Sequence, residues 1–378
     1  MRKLKGILTI AISLILLVAT FSTSSVSKQE KIPVIIGFKE KPDKELVKAH
    51  KGEIKYVYTL IPAIAAKVPA DAIDALGKHI KVAYIEKDEI VQALQLTQTT
   101  PWGITKIRAR NASLRSNVTG GLGINISVLD TGIGPHGDLI VRGGINFTPY
   151  AGPSDQPSYS DDNGHGTHVA GIIAALNNNM GVVGVAPNAS LYSVKVLNQY
   201  GWGYYSDLIA GIQWSVDNNM KIISMSLGGY RNSKALKAAC NTAYNYSKLL
   251  VAAAGNESQG RVLFPAKYDS VIAVVATDSA DERAWWNNFG KDVELAAPGV
   301  NINSTYRNLT YIGYISLSGT SMAVPHVSGT AALIWKKYPS YLNTQVRNIL
   351  RSMAVDLGAS GWDRYYGYGR IDAYNATS

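Results

Sequence analysis

Cysteine is almost missing from this 378-residue chain: Cys240 is the only one, so no intramolecular disulfide can form. Its setting, Lys234-Ala-Leu-Lys-Ala-Ala-Cys240, reads as an amphipathic helix with the thiol on the apolar side, a small buried side chain and not a nucleophile. Long apolar runs are equally scarce. Ile7 to Val18 is apolar, preceded by Arg2, Lys3 and Lys5 and followed by Ala19-Thr20-Phe21-Ser22. A membrane span needs about 20 apolar residues, so this stretch suits the core of a signal peptide cleaved somewhere in 19–27, with an uncleaved anchor as the alternative. No later segment is long and apolar enough to span a bilayer, which argues against a stable membrane association after processing. Runs of Lys or Arg are lacking too. Of the net charge of +10, Arg2, Lys3 and Lys5 supply +3, and residues 28–96, with 12 Lys against 10 acidic residues, supply +2. The remaining +5 is scattered singly, a solvated basic surface with no nucleic-acid motif behind it.

Hydrophobic residues at 46% and charged residues at 17% describe a globular chain with a sizeable core. Its length allows one large domain and a smaller one. Residues 28–96 hold no arginine, little Asn or Ser, and many Lys and Glu; from 97 onward Gly, Asn, Ser, Tyr and Trp are common. The three segments are therefore 1–27, 28–96 and 97–378. The second alternates strand-like Pro33–Phe38, a short helix over Asp43–His50, a strand pair Ile54–Leu60 and Ala63–Val68, a helix over Asp71–His79, and strand-like Val82–Ile85. That β-α-β-β-α-β order predicts a small α+β ferredoxin-like domain. It contains no cluster of nucleophile, base or metal ligands. The third segment alternates apolar Val- and Ile-rich runs (Ile124–Leu129, Leu191–Val196, Ile222–Met225, Leu249–Ala254, Val271–Val275) with helical stretches at His165–Leu176, Ser206–Asn218, Lys234–Tyr246 and Ser321–Lys337. Strands so uniformly apolar are covered on both faces, which predicts an α/β doubly wound, mostly parallel sheet with its site at the strand C-termini.

Three motifs stand at those strand ends and helix starts. Val128-Leu129-Asp130-Thr131-Gly132 puts a carboxylate where a strand becomes a turn. Asn163-Gly164-His165-Gly166-Thr167-His168 puts an imidazole where a helix begins, and Gly319-Thr320-Ser321-Met322-Ala323 puts a hydroxyl at the start of a long apolar helix. A serine hydroxyl needs a neighbouring base near neutral pH; the imidazole in turn needs an acceptor that fixes its tautomer. Alone, Asp130 reads as a turn aspartate and Gly-Thr-Ser as a helix cap. Together they form a nucleophile, base and orienting acid, with a helix N-terminus beside Ser321 to hold a developing oxyanion.

With those motifs, and with Ser226-Leu-Gly-Gly229, Ala252-Ala-Ala-Gly-Asn256, Phe264-Pro-Ala-Lys-Tyr268 and Ala297-Pro-Gly299, most of residues 98–375 resembles the subtilisin family of serine proteases, whose chain order is Asp, His, Ser. The resemblance implies a secreted serine endopeptidase with Asp130, His165 and Ser321 as its catalytic triad and Asn256 as side-chain oxyanion donor, His168 being structural. It makes Ser226-Leu227-Gly228 and Ala253-Ala254-Gly255 the two walls of the pocket before the scissile bond. Gly201-Trp202-Gly203 becomes the opposing edge strand, and Tyr205 joins Trp202 near an outer pocket. Leu263 aligns with the pocket base, implying a shallow apolar pocket, and no acidic residue there favours Lys or Arg.

The loop Asn177–Pro187 resembles the family's calcium loop. The implied structural Ca²⁺ ligands are Gln98, Asp138 and Asn178 through side chains and Leu176, Met180 and Val182 through carbonyls, an all-oxygen set that suits this cation. A weaker cation site near Ala266, Tyr268 and Val271 lacks a clear carboxylate. Residues 31–92 resemble the family's propeptide, an intramolecular chaperone and inhibitor. Gln98–Gly103 resembles a mature N-terminus, so self-cleavage is expected at Leu96–Thr97, with Ala93–Leu96 lying in the substrate groove like a product. Partners are then protein and peptide substrates and the chain's own propeptide, and the enzyme a monomer. A second reading is a non-catalytic peptide-binding homologue, which would need a lost triad or oxyanion residue. An α/β-hydrolase acting on small acyl substrates would need a Gly-X-Ser-X-Gly elbow that is lacking. Ten Asn-X-Ser/Thr sequons, Asn256 among them, offer glycosylation only where the oxyanion role is not required.

Overall fold

The first strands form because β-branched and apolar residues alternate their faces. The computed structural model describes residues 30–89, 97–149 and 157–378, and divides the chain into two compact units, Met1–Leu94 and Gln95–Ser378. In the first unit β1 (Lys31–Phe38), α1 (Lys44–Ala49), β2 (Glu53–Val57), β3 (Ala63–Pro69), α2 (Ala70–Gly77) and β4 (Val82–Lys87) follow one another. The sheet order β2-β3-β1-β4, with all three pairings antiparallel, is the ferredoxin-like arrangement. Val34, Ile36, Ile64, Ala66 and Val68 alternate onto one face and bury against Val47 and Leu76 of the helices. The Asp43 carboxylate accepts from Leu46 N at 3.0 Å and caps α1.

In the second unit the short helices α3 (Trp102–Lys106) and α4 (Ala109–Ser113) precede β5 (Asn125–Asp130), β6 (Val141–Asn146), α5 (His165–Ala174), β7 (Ser190–Lys195), α6 (Tyr205–Asp217), β8 (Ile222–Met225), α7 (Lys234–Asn245), β9 (Leu249–Ala253), β10 (Val271–Thr277) and β11 (Leu295–Pro298). A hairpin, β12 (Ile302–Arg307) and β13 (Ile312–Leu317), leads into α8 (Thr320–Lys337), followed by α9 (Asn343–Ser352) and α10 (Ala373–Ala376). The seven-stranded sheet runs β11-β10-β9-β8-β5-β7-β6, every pair parallel. Residues of α5 and α8 (Val169, Ile173, Val324, Val327, Trp335) join the core on one face. Residues of α6 and α7 (Leu208, Ile212, Leu236, Cys240) join the core on the other, giving the doubly wound α/β layers. Cys240 is fully buried, and burial pushes its thiol up to about 12, so it is chemically quiet.

The sheet has two more strands than its apolar runs suggest. β6, Val-Arg-Gly-Gly-Ile-Asn, is an edge strand half open to solvent, so it needs no continuous apolar run. β11 is only four residues long and closes on Pro298 at the other edge. Gly201-Trp202-Gly203, expected as an edge strand, lies instead in a loop outside any sheet. Asn198 explains this: its Oδ1 accepts from Tyr200 N and Trp202 N, and its N–H donates to Trp202 O at 2.8 Å, folding the segment on itself. Among the described residues no helix is long and apolar enough to cross a membrane. The expected signal peptide, 1–27, the Leu96 side of the expected cleavage site and the product-like segment Ala93–Leu96 lie outside the described residues.

Candidate active site

β5 delivers the first group. Asp130 is its last residue, fully buried, and its Oδ1 accepts from Thr131 N and from His165 Nδ1, both at 2.7 Å. His165 opens α5 after Gly164, whose φ of 109° a side chain would strain. Because the Asp130 carboxylate accepts, the imidazole proton sits on Nδ1 and leaves Nε2 as a base on a side chain that is 27% exposed. Burial pulls the His165 pKa down, but the charge and hydrogen bond of Asp130, helped by Asp161, outweigh it and shift it above the ordinary histidine value.

Ser321 lies in the first turn of α8, where the backbone amides have no i−4 carbonyl within the helix and the helix dipole is positive. Its Oγ donates to Ser226 O at 3.1 Å while Ser226 Oγ donates to Ser321 O at 2.8 Å, which locks α8 to the end of β8. Among the described residues no hydrogen bond joins Ser321 to His165; a resting enzyme often forms that bond only once substrate arrives. Asn256 follows β9. Its Oδ1 accepts from Thr320 N and Thr320 Oγ1, each at 2.9 Å. A backbone N–H can only donate, so the carboxamide is oriented with its NH₂ turned away from Thr320, toward the side where Gly319 and Ser321 N lie. Asn288 holds the same loop, with Oδ1 accepting from Glu257 N at 3.2 Å and Gln259 N at 2.9 Å. Neither the grip of Thr320 on Asn256 nor the role of Asn288 is announced in the sequence, since a hydroxyl or amide that orients another residue has no periodic signature.

The two segments expected as pocket walls follow adjacent strands, Ser226-Leu227-Gly228 after β8 and Ala253-Ala254-Gly255 at the end of β9. Leu263 N donates to Ala254 O at 3.0 Å, and Phe264 exchanges both backbone bonds with Gly229 (2.8 and 2.9 Å), so one segment bridges both walls. A Cβ on Gly228 would stand 2.9 Å from Leu263 Cβ, and one on Gly255 2.8 Å from Leu263 Cγ. The leucine side chain therefore lies against a glycine of each segment. Trp202 is 75% exposed, and Tyr205 donates from its hydroxyl to Arg231 O.

A separate group of oxygens converges on Gln98. Its Nε2 has Leu176 O at 2.6 Å, Met180 O and Val182 O at 3.1 Å, and Asn178 Oδ1 at 3.4 Å. Asp138, fully buried beside them, accepts from Asn178 Nδ2 at 2.9 Å and Val182 N at 3.1 Å. An amide carries two protons and cannot serve four acceptors, so this is an oxygen-rich cradle suited to a hard cation. No cluster of three or more His, Cys, Asp or Glu suited to a metal occurs among the described residues. At the second, weaker cation position the positive charge belongs to the protein. Arg347 donates to Asp269 O at 2.8 Å and Val271 O at 3.3 Å, with its Nε on Glu294 Oε1 at 2.7 Å.

Residues 121–369 match the subtilase family, and residues 23–71 match the Tk-SP N-propeptide domain. The chain is 42% identical over 377 residues to a protein named thermostable alkaline protease of Halalkalibacterium halodurans, with 100% of each chain covered. It is 44% identical over 354 residues to subtilisin E of Bacillus subtilis, covering 90% of this chain and 89% of that one. It is also 39% identical over 393 residues to alkaline elastase YaB of a Bacillus strain, with 100% of each covered. The chain belongs to the subtilase family. It is a subtilisin-like serine endopeptidase carrying an N-terminal propeptide region.

Two further imidazoles of the subtilase domain are buried without charge. His168 donates from Nε2 to Ile302 O (3.0 Å) and Ile315 O (3.1 Å), pinning the β12–β13 hairpin to α5. His326 Nδ1 donates to Met322 O at 2.8 Å. Burial pushes the first down to about 3 and the second down to about 4. In the unfolded chain both return to an ordinary value of about 6.5. Below that pH the unfolded state binds more protons, so stability is complete above pH 6.5 and falls progressively toward pH 3–4, by several kcal/mol at about 1.4 kcal/mol per pKa unit. Thermal unfolding of a Ser321→Ala chain, read by circular dichroism, should show a midpoint well below its pH 7.5 value at pH 4.5. An unchanged midpoint would contradict neutral burial of these two residues.

Proposed function

We propose that this subtilase is a secreted, self-processing zymogen that cleaves peptide bonds through an acyl-enzyme. Ser321 Oγ attacks the scissile carbonyl as His165 Nε2 takes its proton, after the hydroxyl turns from Ser226 O to the imidazole. The same proton then passes to the leaving amine, and water, deprotonated by His165, releases the acyl group and restores the serine. Asp130 holds the imidazole tautomer and stabilises its charged form. Asn256 Nδ2 and Ser321 N receive the oxyanion. The observation that carries this reading is the 2.7 Å bond from His165 Nδ1 to buried Asp130, with Nε2 left free as a base.

An extended peptide would pair with the glycine-lined walls 226–228 and 253–255, with the Gly201–Gly203 loop opposite and Leu263 making the pocket before the scissile bond shallow and apolar. The family match of residues 23–71 supports a propeptide that assists folding and restrains the enzyme, released near residue 97, and the basic and apolar N-terminus supports export. Full-length chain incubated with calcium should shorten to a product beginning near Thr97, followed by intact mass. The parent staying intact and inactive under those conditions would overturn the zymogen reading.

Gln98, Asp138 and Asn178, with the carbonyls of Leu176, Met180 and Val182, would hold a structural Ca²⁺, the carboxamide of Gln98 turning its oxygen inward. Bound there, the ion ties the segment before α3 to the loop after α5 and stabilises the fold by mass action. Chelation of the mature enzyme is expected to lower its thermal midpoint by many degrees, with Asp138→Asn abolishing most of the calcium response. Equal midpoints with and without calcium would remove the ion from the account.

A further inference from the structure

A second buried carboxylate stands behind the histidine. Asp161 is 2% exposed and accepts five hydrogen bonds. Its Oδ1 receives Thr131 Oγ1 at 2.8 Å, Asn163 N at 3.0 Å and Gly164 N at 2.9 Å; its Oδ2 receives Thr167 N at 2.8 Å and Thr167 Oγ1 at 2.6 Å. The two threonines cross over. Thr131, next to Asp130, accepts from Gly166 N at 2.9 Å, while Thr167, on the histidine helix, accepts from Gly134 N at 2.9 Å in the turn after the acid. Each hydroxyl has a backbone N–H as donor, so its own proton must go to Asp161. The carboxylate is the common end of two straps that bind the acid's turn and the histidine's helix to each other. The backbones are close enough that a Cβ on Gly166 would collide with the Gly132 carbonyl.

We propose that Asp161 is a positioning residue for the subtilase reaction, acting through Thr131 and Thr167 to hold Asp130 and His165 in register, and that its charge supports the imidazolium. The proposal rests on the triad of Asp130, His165 and Ser321. Placement matters because a misfit of about 1 Å in a reacting pair can cost roughly 10²-fold in rate. The charged and titratable groups packed around this loop are few. Asp162 is neutralised by Lys195, whose buried Nζ lies 2.7 Å away. His168 on α5 and His326 on α8 are neutral, Tyr306 on β12 donates to Asn163 O, and Arg307 donates to Gly134 O at 2.8 Å. Among the described residues, Asp130 and Asp161 are therefore the two carboxylates without a neutralising cation beside the imidazole.

Asp161→Asn tests this. An amide oriented against Thr167 or Thr131 sets a donor against donors, so one strap must open. The matured enzyme, with competent sites counted by burst titration, is assayed on a chromogenic peptide anilide across pH 5–10. Per competent site, kcat should fall about 10- to 100-fold with KM nearly unchanged, and the acid limb of kcat/KM should move to lower pH. A merely structural role would reduce the number of competent sites and leave kcat and the acid limb per site as in the parent, and that result overturns the proposal. Should Asp161→Asn fail to mature, Thr131→Val should lose about tenfold in kcat per site, and Thr131→Ser, which keeps the hydroxyl, should recover most of it. A Thr131→Val enzyme equal to the parent also overturns the clamp. Ser321→Ala is run beside them: parent-like Asp161→Asn with inert Ser321→Ala sinks the clamp alone, while an active Ser321→Ala sinks the triad reading beneath it.

Discussion

Ser321→Ala should lower kcat on peptide substrates by about 10⁶, the loss known for the equivalent change in subtilisin itself. The chain should also stay full length where the parent shortens. The size follows from the proposed division of labour: without Oγ no acyl-enzyme can form, and His165 has no serine proton to take. What survives is direct attack by water, assisted by substrate binding and the oxyanion donors. The alanine chain should fold, because Ser321 Oγ makes one hydrogen bond, to Ser226 O, and the return bond from Ser226 Oγ to Ser321 O uses only the backbone. Single-turnover assays with an active-site titrant, which should release no burst, measure the loss. A residual rate within about 100-fold of the parent would be too fast for uncatalysed water and would move the nucleophile elsewhere.

Asn256→Ala should cost about 10²–10³ in kcat, the value established for subtilisin's own side-chain donor, with KM changing little. The carboxamide meets a carbonyl oxygen weakly in the ground state and strongly once charge builds on it, so its removal acts on turnover and not on affinity. The contacts of Asn256 sharpen this expectation. Thr320 grips Oδ1 through both its N–H and its hydroxyl, and Glu257 Oε2 receives the Asn256 N–H at 3.1 Å. The donor is thus held before substrate arrives and needs no reorganisation when charge develops. Asn256→Asp should be as poor as alanine or worse, since a carboxylate repels the oxyanion. Equal losses in kcat and in 1/KM would mean that Asn256 serves binding instead.

The parts of this subtilase that read easily from sequence are those where chemistry forces rare neighbours into short spans. Asp130-Thr-Gly, His165 between glycines and Gly-Thr-Ser321 each combine a reactive group with small residues that allow close approach, and the apolar runs around them announce strands covered on both faces. Cys240 was likewise legible as a buried side chain on the apolar side of α7. Other features carry no local trace. β6 has two glycines and an arginine in six residues and exists only because β7 offers an edge. The Gly201–Gly203 segment folds on the Asn198 side chain and not into a sheet. Asp161 reads as one more acid in Ser-Asp-Asp-Asn, because its partners Thr131 and Thr167 become partners only when strand and helix meet. Thr320 was visible as part of a motif, yet its grip on Asn256 joins residues 64 positions apart.

Leu263 separates two properties that proteins often entangle. Its backbone, with that of Phe264, ties one expected wall of the substrate pocket to the other, while its side chain lies against the glycines of both. The frame is indifferent to what hangs from it. On the pocket proposed above, substitutions at this one position should shrink or widen the range of peptides accepted while the walls, Asn256 and Ser321 stay where they are. A lineage carrying this scaffold could change its diet in single steps, each intermediate still able to cut.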